Sequence, residues 1–143
     1  MSIIKNTNLK IILNDKGNIR KMLDKNDPDF KGFGEIYLTD INFNAIKGWK
    51  LHRNKTSNLL VVQGHVKFVA WSPMEPKIFE SYSIGLLENE SYEYSRITIG
   101  PNIWFAFIGL HKPVSRILNL SNKVNNETIS ENMDLKSVNY KWN

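Results

Sequence analysis

Groups able to move a proton are few in this chain. Histidine occurs three times, at His52, His65 and His111, and cysteine is absent. That excludes thiol catalysis, thiolate-bound zinc and iron–sulfur chemistry, and it fits a reducing compartment such as the cytoplasm. The stretch with most to offer is 47–64, KGWKLHRNKTSNLLVVQG. In an extended strand, side chains two apart share a face. Lys50 and His52 therefore point one way, and Trp49 and Leu51 the other. A lysine and a histidine on one face are the candidate pair for general acid–base work. Sunk among aromatic neighbours, Lys50 would serve as base. Kept charged, it would hold developing negative charge and leave His52 as base. Tyr37, Tyr82, Tyr92 and Tyr94 are the candidate acids, though each also suits packing within a sheet. His65 and His111 stand beside turn residues and read as loop histidines. No G-x-S-x-G elbow, H-E-x-x-H, phosphate-binding loop or G-x-G-x-x-G is present, and Gly32-Phe33-Gly34 reads as a bend.

The elements that must position these groups read as strands. Segments 8–14, 33–41, 45–52, 58–71, 78–88, 94–99, 103–110 and 114–120 are short and rich in Ile, Val, Tyr, Phe and Trp. Turn signals such as Asp15-Lys16-Gly17, Asn54-Lys55-Thr56, Gly100-Pro101-Asn102 and Lys112-Pro113 separate them. This pattern predicts an all-β barrel or double-sheet jelly roll, as one domain over residues 1–143. Helix signals are weak, with a turn or short helix expected at 18–25 and one helical stretch at 125–136. Tyr140 and Trp142 make the tail too aromatic to hang free, so it is expected to dock on the body. No apolar run reaches the roughly 18 residues of a membrane span, and no signal peptide is expected at the N-terminus. The net charge is +5. With its lysines scattered, that charge reads first as a soluble basic surface; read functionally it suits a polyanionic partner, and without a Lys/Arg-rich run a phosphorylated small molecule is expected over nucleic acid.

The spacing within 47–64 resembles the first cupin motif: two histidines one residue apart, four residues, a glutamate, six residues and a glycine. Those slots hold Lys50, His52, Ser57 and Gly64, and the second motif falls on IGPNIWFAF with Phe105 in its histidine slot. The resemblance implies the cupin-type double-stranded β-helix. One retained ligand in four implies no metal, and no other cofactor is expected.

A metal-free barrel of this kind resembles the dTDP-4-dehydrorhamnose 3,5-epimerase family. FGEIYLTDINFNAIKGWKLH is similar to its F-x-Q-x-N…R-G-L-H segment, ITIGPNIWFAFIGL to its I-P-x-G-x-x-H-G-F strand, and Asp15-Lys16-Gly17 to its D-x-R-G turn. NLLVVQGHVKFVAW at 58–71 looks like the family's next hairpin, with His65 at the turn. The resemblance implies a homodimeric isomerase that inverts C3, or C3 and C5, of a nucleoside-diphosphate-4-keto-6-deoxyhexose. Such sugars enter surface polysaccharides such as the O-antigen of lipopolysaccharide. It places Lys50 in the slot of the catalytic histidine, with His52 as its partner. It implies substrate contacts at Lys16, Glu35, Tyr37, Lys47, His65 and Phe105, with Lys47 on the diphosphate and the strand near Lys16 reaching a neighbouring subunit. The family's acid tyrosine lies on the strand that here reads VSRILNL and has none. A 3,4-ketoisomerase, or a cupin that binds sugar nucleotides without turning them over, is the alternative.

Overall fold

The computed structural model describes residues 3–86 and 94–143. Tyr92 and the end of the strand expected at 78–88 lie outside the described residues. The strands are β1 (Lys5–Asn8), β2 (Ile11–Ile12), β3 (Ile19–Arg20), β4 (Glu35–Asn42), β5 (Ile46–His52), β6 (Ser57–Ser72), β7 (Glu75–Leu86), β8 (Ser95–Ile99), β9 (Trp104–Gly109), β10 (Val114–Ser121) and β11 (Ser130–Asn132). All the ladders between these strands are antiparallel.

β6 belongs to both layers of the barrel. Its first half pairs with β10 and β8, and its second half with β7 and β9. The change of sheet falls at Gly64, whose φ of +88° and contact with the Ser115 side chain leave no room for a Cβ. So 58–71 is one long strand, not a hairpin, and His65 lies in its middle, not at a turn. The first layer runs β1-β8-β6-β10-β4 and the second carries β7-β6-β9-β5-β11. This is the expected all-β jelly roll.

Alternation along the strands makes two apolar clusters. Ile41, Leu59, Val66, Phe68, Ile97 and Ile117 fill the space between the layers. Trp49, Leu51, Trp71 and Trp104 pack on the outer face of the second layer. The C-terminal tail covers that face as expected, with Tyr140 6.4 Å and Trp142 5.7 Å from the Trp49 ring by centroids. The helix expected at 125–136 does not form. The stretch is too poor in apolar residues at helical spacing, and β5 offers it a free edge. β11 pairs there between two single-turn 3-10 helices, Asn125–Glu127 and Leu135–Ser137. At 18–25, where a turn or short helix is expected, no helix forms, since Ile19–Arg20 pairs with β2 in a separate two-stranded sheet. The strand expected at 8–14 divides into the end of β1 and β2. The loop after β3 is held by Arg96. Its guanidinium, wholly buried, donates to the Met22 carbonyl and to the Asp27 and Asp29 carboxylates.

Candidate active site

A cavity of about 300 Å³ opens between the layers, lined by Tyr37, Lys47, Lys50, His52, Lys55 and Phe105 among others. β5 and β9 build its floor. Lys50 stands opposite Phe105 in their ladder, and Lys47 opposite Phe107. Lys47 and Lys50 are three apart, so a regular strand would turn them to opposite faces. A bulge between Gly48 and Lys50 shifts the register and brings both to the cavity. Gly48 makes this possible: it has φ +138°, and any Cβ would run into Ala106. Trp49 and Leu51 face the other way, into the outer cluster, as strand parity requires.

His52 is half-buried, its ring 5.7 Å from that of Phe105 and its Nδ1 2.7 Å from the Ser130 hydroxyl. Burial, then the charges of Lys55 and Lys50, bring its pKa down to about 4. At neutral pH the ring is uncharged. When Nδ1 accepts from Ser130, the remaining N–H is at Nε2. Lys55, in the loop between β5 and β6, is 4% exposed. Its Nζ lies 5.8 Å from the centre of the Tyr37 ring. Burial lowers its pKa, Glu35 opposes that and Lys50 adds to it. Tyr37, from β4, has its pKa raised by burial and by Glu35. Its hydroxyl accepts from the Asn119 side-chain amide at 3.0 Å, which leaves the phenolic proton free to be donated. Asn119 is the residue opposite Tyr37 on β10, the strand that lacks a tyrosine of its own.

The cavity thus gathers Lys50, His52, Tyr37, Lys47 and Phe105. Lys50 is exposed on its wall, not sunk among apolar side chains, and Lys47 is exposed with its Nζ donating to the Asp40 carbonyl at 2.8 Å. Glu35 does not line the cavity and acts on Tyr37 and Lys55 from behind it. His65 lies apart, its backbone N–H on the Ser115 hydroxyl, and Lys16 sits in the exposed turn between β2 and β3. Lys55, Asn119 and Ser130 are pocket residues that the sequence reading did not pick out. Lys55 sat inside a turn signal, and the other two come from strands far along the chain.

A cation does not fit the cupin ligand slots. Lys50 and Lys55 place positive charge beside His52, and the other slots hold Ser57 and Phe105. Among the described residues no three His, Asp or Glu side chains are grouped to hold a metal. No helix among the described residues is long and apolar enough to cross a membrane.

No protein-family model matches the chain, and no curated protein sequence matches it. Solved structures do. A dTDP-sugar isomerase from Desulfovibrio desulfuricans G20 aligns over 97% of this chain and 90% of its own, with 21% identity and a TM-score of 0.80. A sugar 3,4-ketoisomerase from Thermoanaerobacterium thermosaccharolyticum, solved with TDP, aligns over 89% and 87%, with 17% identity and a TM-score of 0.71. A 3'-monoepimerase from Streptomyces bikiniensis, solved with dTDP-quinovose, aligns over 93% and 70%, with 10% identity and a TM-score of 0.76. The chain is built on the cupin jelly roll of the dTDP-sugar isomerases and epimerases.

Proposed function

We propose that this protein is an isomerase of nucleoside-diphosphate-4-keto-6-deoxyhexoses that inverts the configuration at C3. One observation carries the reading: a single cavity holds three lysines, an uncharged histidine and a tyrosine with a free phenolic proton, on an aromatic floor. The exposed cations at the rim, Lys47 and Lys50, suit a diphosphate. The floor of Phe105 and Phe107 suits the apolar face of a sugar ring. The 4-keto group acidifies the C3 hydrogen, so a base removes it and the electrons pass to the keto oxygen as an enolate. Lys50 by its charge and His52 through an N–H donor steady that oxygen. Tyr37 returns a proton to the opposite face of C3.

Fold similarity to enzymes of this substrate class supports the reading, as does the loss of the metal ligand set, since enolate chemistry here draws on cations and hydrogen-bond donors alone. The same reading includes a cytoplasmic homodimer that serves surface-polysaccharide synthesis, such as that of O-antigen.

The test is incubation with dTDP- or CDP-4-keto-6-deoxyglucose in deuterated water, followed by NMR. Deuterium at C3 with inverted coupling is expected. Transfer of the keto group to C3 would mark a 3,4-ketoisomerase instead. Tight binding without any label would mark a binding protein.

A further inference from the structure

We propose that Lys55 is the catalytic base: its amine removes the proton on the carbon beside the sugar's keto group. This rests on the isomerase reading above and names the group that reading leaves open.

Three observations carry it. Lys55 lines the cavity yet is 4% exposed, in contrast to the exposed Lys47 and Lys50. Among the described residues no carboxylate lies within ion-pair distance of its Nζ, and Glu35 reaches it only from farther off. Its nearest charged or titratable neighbours are Lys50 and His52 from β5 and Glu35 and Tyr37 from β4. Burial penalises the ammonium, Glu35 offsets that in part and Lys50 adds to it, so the net pull is toward the uncharged amine that a base needs.

The other groups in the cavity are less suited. Lys47 is exposed and its Nζ is already donating to the Asp40 carbonyl. Lys50 is exposed. The His52 ring takes a proton only near pH 4, which makes it a weak base at neutral pH. Tyr37 keeps its proton, which suits it to be the acid. Lys55 and Tyr37 are also neighbours in the cavity lining, with the lysine nitrogen 5.8 Å from the ring centre.

The step balances without a co-reactant. The Nζ lone pair forms an N–H bond as the C3–H bond breaks, and the C–H electrons become the enolate. The enolate then takes the Tyr37 proton at C3, leaving a tyrosinate and an ammonium. Proton passage from Lys55 to Tyr37 through solvent resets the site.

The experiment compares wild type, Lys55→Met and Lys55→Arg by deuterium uptake from solvent at C3, and by calorimetry with dTDP. Lys55→Met is expected to bind dTDP while losing about 10²–10⁴-fold in exchange. Lys55→Arg is expected to lose as much, because a guanidinium keeps the charge but cannot take up a proton. Exchange within tenfold of wild type in both variants would overturn the assignment. Should neither variant fold, the wild-type pH profile decides. An acid limb of kcat/KM at about 7 or above supports an amine base, and a limb below about 6 overturns it in favour of His52. A wild-type protein that binds dTDP but exchanges nothing overturns the isomerase reading itself and Lys55 with it. The two failures are therefore separable.

Discussion

At the scale of single residues, the cavity is governed by lysine charge that Glu35 offsets only in part. His52 shares it with Lys50 and Lys55, and its pKa of about 4 reflects burial first and those two lysines next. A folded pKa below the ordinary value near 6.5 means that the fold prefers the neutral ring. As pH falls from about 6.5 toward about 4, the unfolded chain takes up a proton that the folded chain refuses, so this group lowers stability across that window. NMR titration of the His52 ring should show a midpoint near 4 in the free protein. Lys55→Met should move it upward, and so should saturating dTDP, whose phosphates offset the lysine charges. A midpoint of 6.5 in the free wild type would mean that the ring is solvated and the cavity is not the cationic site described. The sequence disclosed Lys50 and His52 because they share strand parity, which needs no knowledge of the partner strand. It implied Lys47 through resemblance, but not the bulge that turns it inward. Lys55 was hidden because a turn between strands has no periodicity to say which way its side chains point. Asn119 and Ser130 meet Tyr37 and His52 only after strands 82 and 78 positions apart are brought together.

At the scale of elements, the strands were legible wherever apolar residues alternate or run together, and seven of the eight expected segments coincide with β4 to β10 within a few residues. What failed was decided by tertiary pairing. The segment 58–71, expected as a strand, also resembles a hairpin at Gly64, yet Gly64 is the point where one strand passes between layers. The stretch at 125–136 became β11 because β5 presents a free edge beside the tail. The loop between β3 and β4 shows how a chain segment without periodicity is fixed. Arg96, with no exposed side-chain surface, binds the Asp27 and Asp29 carboxylates at 3.1 Å, and Lys5 adds a second contact to Asp29 at 3.0 Å. Removing one partner of a buried ion cluster leaves the others uncompensated, at about 3–5 kcal/mol. Arg96→Met should therefore lower the free energy of unfolding in urea by about that much. Because Asp27 is then left without its cation while Asp29 keeps Lys5, part of the loss should be recovered by adding Asp27→Asn. Arg96→Met at wild-type stability would show that the loop is held by other contacts.

At the scale of the whole molecule, several large apolar side chains are left uncovered. Leu13 is 79% exposed, and Ile12 and Ile19 beside it in the β2–β3 sheet are exposed too. On β4, which among the described residues pairs only with β10, Ile36 and Leu38 face outward, and Phe33 just before it is 65% exposed. An open strand edge with apolar flanks invites pairing with another chain. Lys16, at the tip of the β2–β3 sheet, does not reach the cavity of its own chain. Both facts are met if the sheet crosses to a second copy and brings Lys16 to the phosphates there. A stable interface of this kind buries roughly 1,200–2,000 Å² in total, and a single exposed leucine at its centre is a sensitive point. Light scattering at micromolar concentration should give the mass of two chains. Leu13→Asp should give one chain and weaker dTDP binding together, because the sheet can no longer cross. Lys16→Ala should weaken dTDP binding while leaving the mass of two chains unchanged. A wild-type monomer, or a Leu13→Asp monomer with unaltered dTDP affinity, would mean that each cavity is complete within its own chain.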